Sequence, residues 1–243
     1  MTSILVSSTE YQACLSGRQV SSTKHQELST LCKWVLLVLV MLASSSQAIL
    51  AQDADMKAVK DTAAFKSHLK DASATTNTID CDFTQKKHLS FMAEDITTTG
   101  HFSFKKERKI RWEYKKPYSY IVVINNNDIY LKDDDKTSHF DAKSNKMFQG
   151  INDMMVAIVK GNLFGTGDYK STFFENDKYF FAKLIPIKGQ MKEYMKSIDI
   201  YFDKKDMTVV KLKLTELSDD YTYIEYHNKV INKPLDDALF TIK

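Results

Sequence analysis

Residues able to do covalent or metal chemistry are few and scattered in this chain of 243 residues. His68, His88, His101, His139 and His227 include no pair four apart and no HExxH arrangement that could hold zinc on one helix face. Cys81 alternates with Ile79 and Phe83, the position of a small core residue; a nucleophilic thiolate needs an accessible, electropositive setting. The segment "GNLFGTGD" (161–168) is no P-loop, since the lysine and hydroxyl that would grip phosphate and magnesium are missing. Asp133–Asp135 lacks the alternating ligands and distal glutamate of a calcium loop and reads as a hairpin tip. The residues therefore point to no catalytic group, metal or cofactor, and the expected activity is binding.

The binding stretch that stands out is "HFSFKKERKIRWEYKKPY" (101–118), where cations crowd a row of aromatic side chains. Nucleic acid, a membrane surface and an oily ligand are the three occupants to weigh. Phe102 and Phe104 share one face of a strand, as do Ile110, Trp112 and Tyr114, while Glu107 and Glu113 interrupt the cations. Net charge is only +3, from 34 basic and 31 acidic residues, without the one-sided clustering that a polyanion requires. Nucleic acid is not an expected partner. A hairpin with an oily inner face and a basic tip remains, and periodicity leaves open whether that face fills a core or walls a hollow.

The positioning elements follow from pattern. "CKWVLLVLVMLASSSQAILAQ" places Lys33 before an apolar run from Trp34 to Ala43 and then small residues, the order of a secretory signal cleaved after Ala51 or Ala48. The run is short for a membrane span. Cys14 and Cys32 lie in this leader, so the exported part keeps Cys81 alone and gains no internal disulfide. The expectation is a leader over 1–51 and one domain over 52–243. Val59, Ala63, Phe65 and Leu69 predict an amphipathic helix over about 55–73. Two-residue alternation then recurs in "IDCDFTQ", "HFSF", "IRWEY", "SIDIYFD" and "VVKLKLTEL", separated by turn clusters at 125–128, 132–136, 175–177 and 217–220. Such strands predict an antiparallel sheet with one wet face. Met154, Met155, Ile158 and Val159 interrupt them at helical spacing, predicting a second helix over 152–160 that ends near Gly161.

Several of these runs carry a resemblance. Phe83-Thr84-Gln85, Gly100 before "HFSF", basic residues after that strand, "IRWEYKKP" and then "YIVVI" and "NNNDIYLKD" resemble the LolA-like periplasmic lipoprotein carriers. The likeness runs from about residue 60 to the end and is specific over 83–131. It implies a mainly β fold, a strongly curved and incomplete antiparallel barrel covered by helical lids, around a cavity for lipoprotein acyl chains. Phe83, Phe102, Phe104, Ile110, Trp112, Tyr114, Val122 and Ile124 map to its inner wall, and Met154, Met155, Ile158 and Val159 to the lid. The family closes its lid with an arginine; the matching position here is Lys106, and Arg108 is the alternative latch or docking residue.

What the resemblance implies about function is a soluble, exported, monomeric carrier. Its expected partners are acylated lipoproteins, an inner-membrane releasing transporter and an outer-membrane acceptor, with basic groups around 105–111 facing a partner or lipid headgroups. A lipid-reading regulator, or a carrier of another lipid or glycolipid, would use the same fold. Each methylene removed from water contributes about 0.8 kcal/mol, so one chain of about sixteen carbons represents on the order of 10 kcal/mol. Release then requires an opposing term, and a lid that occupies the cavity when empty supplies it.

Overall fold

The computed structural model describes residues 55–242 apart from 107, 134–135, 142–145, 160 and 166. The chain divides into residues 1–54 and 55–243. The leader, with Cys14, Cys32 and both cleavage positions, lies outside the described residues, as do Asp134 and Asp135. So do the side chains of a few residues within the elements, Val159 among them.

Twelve strands form one antiparallel sheet. In chain order they are β1 (Lys57–Ala58), β2 (Thr78–His88), β3 (Ile96–Lys105), β4 (Lys109–Lys116), β5 (Tyr120–Asn125), β6 (Asp128–Asp133) and β7 (Lys136–Asp141). After the second helix come β8 (Tyr169–Glu175), β9 (Tyr179–Pro186), β10 (Met195–Asp203), β11 (Val209–Glu216) and β12 (Tyr221–Ile231). The spatial order is β1-β8-β9-β10-β11-β12-β2-β3-β4-β5-β6-β7. Two edges, β1 and β7, stay unpaired with each other, so the barrel does not close. The first and last parts of the chain meet where β12 pairs with β2, Tyr226 opposite Phe83.

Register explains why the alternating residues make one wall. Cys81 faces Phe102, Phe102 faces Trp112, Trp112 faces Val122 and Val122 faces Leu131. Two residues along each strand, on the same face, Ile79, Phe104, Ile110, Ile124 and Ile129 form the parallel row. The same face continues through Leu212, Ile200 and Ala182 on the other half. All of these belong to a single hydrophobic cluster, so the sheet curls around them. Gly100 sits where β3 slips register against β4. A Cβ there would lie 2.1 Å from the Glu113 carbonyl oxygen and 2.6 Å from the Phe83 ring. Only glycine leaves room for that ring.

Two helices cover the concave face. α1 (Thr62–Thr75) starts at Asp61, whose carboxylate accepts from the Ala64 amide at 2.9 Å. The sequence predicted a helix from 55; instead Lys57 and Ala58 pair with Glu175 and Phe174, and the cap at Asp61 fixes the later start. α2 (Lys146–Val159) begins six residues before the expected 152, because the apolar spacing of Met154 and Ile158 extends back through Met147 and Ile151. It ends as predicted. Gly161 takes φ 65° and its amide donates to the Ile158 carbonyl at 3.0 Å.

The convex face carries a row of stacked rings, Phe174, Phe181 and Tyr201, across β8–β10, and a second small core under the chain end. Leu235 and Phe240 pack on Val123 of β5, with Ile121, Tyr130 and Ile242 around them. This segment corrects the expectation of a basic tip offered outward. Lys105 and Lys109 both meet Asp237, at 2.7 and 3.0 Å, and Arg111 pairs with Glu113 and donates to the Leu239 carbonyl. Three of these cations, Lys105, Lys109 and Arg111, hold the chain's own last turn.

Candidate binding cavity

Between the concave face and the helices lies a cavity of about 90 Å³. Its walls are Ile79, Cys81 and Phe102 from one half of the sheet, Phe202, Leu212 and Tyr226 from the other, and Met155 and Ile158 from α2. Ala72, Ser73 and Thr76 from the end of α1, and the β10–β11 turn with Asp206, Met207 and Thr208, form its mouth. Ligand sites of drug size span about 300–1,000 Å³. The wall is therefore mostly filled by protein, with a residual apolar space.

The predicted residues divide accordingly. Phe83, Phe102, Phe104, Ile110 and Ile124 are buried, and Trp112, Tyr114 and Val122 pack against them on the same face. Of these eight only Phe102 reaches the cavity; the rest are filled core. Phe83 meets the Trp112 and Tyr114 rings edge-on, centroids 5.4 and 5.3 Å away. Met155 and Ile158 line the space, whereas Met154 is buried on a different side, against a second cavity of about 270 Å³ shared with Leu163, Tyr169 and Met191. Sequence reasoning missed the walls from β10, β11 and β12 and the mouth. Their alternation was legible, but nothing in it says that β12 returns to pair with β2.

Lys106 reaches the lid. Its ammonium donates to the Ala74 carbonyl at 2.7 Å, in the last turn of α1, and its amide donates to the Asn77 carbonyl. A cation at a helix C-terminus meets both an orphan carbonyl and the negative end of the dipole. Arg108, at φ 68°, contacts the other helix instead, its guanidinium 3.5 Å from the Asp153 carboxylate. The two sequence alternatives thus touch different lids. Asn232 adds a third tie, donating to the Thr75 carbonyl at 3.1 Å while accepting from the Asn77 amide. Farther along α1, Phe65 is anchored among Phe164, Phe173, Phe180 and Phe202, centroids 4.8–5.9 Å away. The helix is pinned deep at one end and tied by hydrogen bonds at the end that borders the cavity.

Electrostatics do not favour chemistry inside. Burial, and then the Asp80 charge, push the Cys81 thiol up to about 12, so it is an apolar wall group at neutral pH. Burial likewise raises the Tyr226 phenol. The Trp112 indole N–H is buried with no partner, one of four such side-chain atoms among the described residues. Those residues hold no group of three metal-ligating side chains, and no helix among them is long and apolar enough to cross a membrane.

An open antiparallel half-barrel with helices over a small apolar space defines a binding fold. Comparison gives the family: the chain belongs to the LolA outer membrane lipoprotein carrier proteins, matched over residues 74–243. Solved structures are similar at low identity. A LolA superfamily protein from Nitrosomonas europaea is 10% identical with TM-score 0.39, over 73% of this chain and 97% of that one. A domain described as outer membrane lipoprotein-sorting from Vibrio parahaemolyticus is 8% identical with TM-score 0.40, over 72% and 95%. The MucA/MucB complex of Pseudomonas aeruginosa is 10% identical with TM-score 0.42, over 71% and 58%. No curated protein matches the chain.

Proposed function

We propose that this protein is an exported, periplasmic carrier that shields the acyl chains of lipoproteins between the inner and outer membranes. Its partners are then a releasing transporter on one side and an acceptor on the other. The observation that carries the reading is an apolar cavity roofed by Met155 and Ile158 in a chain of the LolA family. In the described state the cavity is too small for a fatty chain, so loading displaces the α2 side chains and the end of α1. That displacement offsets part of the favourable burial and leaves the cargo removable. Methionine suits the task because its flexible, polarizable side chain repacks around chains of differing shape.

The test is mass spectrometry of protein recovered natively from a periplasmic extract. Acylated peptides or lipoproteins in near-stoichiometric amount are expected. Recovery of free lipid alone would redirect the reading to a different lipid cargo, and recovery of no acylated species would overturn it.

A further inference from the structure

The mouth of the cavity carries a feature that a purely apolar pocket does not need. Asp206 in the β10–β11 turn and Lys229 on β12 form an ion pair at 3.0 Å, their side chains only 30% and 13% exposed. Taking two charges largely out of water is costly, and well-packed apolar side chains generally serve stability as well. The pair sits where the wall stops being oily.

Hydrogen direction at this mouth is one-sided. Thr208 turns both its hydroxyl and its amide toward Asp206 Oδ1, at 2.5 and 2.9 Å. Lys229 donates to the same carboxylate oxygen at 3.0 Å and to the Thr208 hydroxyl oxygen. Across the opening, Ser73 and Thr76 donate their hydroxyl protons back into α1, to the Leu69 and Ala72 carbonyls at 2.7 and 2.9 Å. These three hydroxyls, of Ser73, Thr76 and Thr208, have their protons placed within the protein. What the mouth presents to a newcomer is lone pairs: those of Asp206, Ser73, Thr76 and Thr208. Such a rim accepts hydrogen bonds and offers an anionic head none of those three hydroxyl protons.

We propose that the Asp206–Thr208–Lys229 cluster, with Ser73 and Thr76, is a head-group site that selects amphiphiles carrying N–H donors beside the acyl chain. The inference rests on the reading that the cavity takes an acyl chain and adds what the chain must be attached to. Two sources share that chemistry: the backbone amides of a lipidated peptide, and the ammonium of an ethanolamine phospholipid. Free fatty acids, whose heads are carboxylates, are disfavoured.

The experiment uses the full exported chain loaded with a fluorescent apolar probe, competed by dodecylamine and by dodecanoate at concentrations below micelle formation. Dodecylamine is expected to displace the probe at about tenfold lower concentration, the size of one charge-assisted hydrogen bond. Asp206→Asn is expected to remove that preference while both amphiphiles still bind. Thr208→Val, which frees the carboxylate to turn away, is expected to narrow it, and thermal melts confirm that each variant is folded. A triacylated lipopeptide competing as well as the amine assigns the site to lipoproteins, and a short-chain ethanolamine phospholipid competing alone assigns it to lipid. Equal competition in the unmodified protein, or a preference that survives Asp206→Asn and Thr208→Val, would overturn the head-group site. A probe that fails to bind at all would overturn the cavity reading as well.

Discussion

At the scale of single residues, His101 shows how this fold spends its charged groups on structure. One ring nitrogen lies 2.9 Å from the Asp82 carboxylate and the other 2.8 Å from that of Asp80. Ser103 and Lys233 bind Asp80 as well, and Asn228 binds Asp82. Burial pulls the imidazole down, but the hydrogen bonds and charges of the two aspartates outweigh it and hold it above its ordinary 6.5. With both nitrogens facing carboxylates, the fold favours the charged form of the ring. Its contribution to stability is fully present below the unfolded value and is lost as pH rises through the raised folded one. Melting temperature measured between pH 5 and 9 should therefore decline on the alkaline side, and His101→Gln should flatten that decline. An unchanged profile would mean the ring is neutral in the folded protein. Trp112 offers a second residue-scale prediction. Placing a carboxylate among Phe83, Phe102 and Tyr226 with Trp112→Glu is expected to abolish acyl-chain binding. The Trp112 ring packs in the filled part of the wall, so a stability loss of about 3 kcal/mol or more should accompany it. Denaturant titration alongside a lipid-binding assay separates the two effects.

At the scale of elements, the lids differ in how they are held. α1 carries Phe65 in a cage of four rings, and Phe65→Ala should cost about 3–5 kcal/mol in chemical denaturation. Its other end rests on polar ties, and Lys106→Ala removes one of them. Net stability should fall by only about 1 kcal/mol, because the bond is exposed to water. Hydrogen exchange of the amides at the end of α1, and the rate of ligand entry, should both rise; unaltered entry would show that this end does not gate the cavity. The β3–β4 pair depends on Gly100, and Gly100→Ala should cost about 3 kcal/mol, since the added methyl meets backbone on one side and a packed ring on the other.

At the scale of the whole molecule, the described state is the closed one: a curled sheet whose interior is nearly full. In the proposed carrier, loading is an equilibrium between protein side chains and an acyl chain for the same space. Replacing Met155 and Ile158 together by alanine shifts it in a definite direction. Stability without ligand should drop by several kcal/mol, about 2–5 for each large-to-small change if the site collapses poorly. Affinity for a single-chain lipid should nevertheless rise, because the ligand displaces less protein. Lower affinity together with lower stability would mean these two side chains hold the ligand instead of competing with it.

The sequence by itself determined the sheet, the existence of both helices and the hairpin around Trp112. Those features follow from local rules: a two-residue period for strands, turn clusters between them and a helical run of methionines. It also placed Lys106 near a lid, through family resemblance. Helix starts were less legible, because a cap such as Asp61 or a two-residue edge strand leaves little periodic signal. Only the tertiary structure decided which of the oily positions line a space and which fill the core. Phe83 and Phe202 have the same alternating pattern, yet one is packed solid and the other borders the cavity. The difference arises from the β12–β2 pairing across more than a hundred residues and from where the two helices settle on the curled sheet. The acceptor-lined mouth is equally non-local, since Ser73, Thr208 and Lys229 meet only after folding.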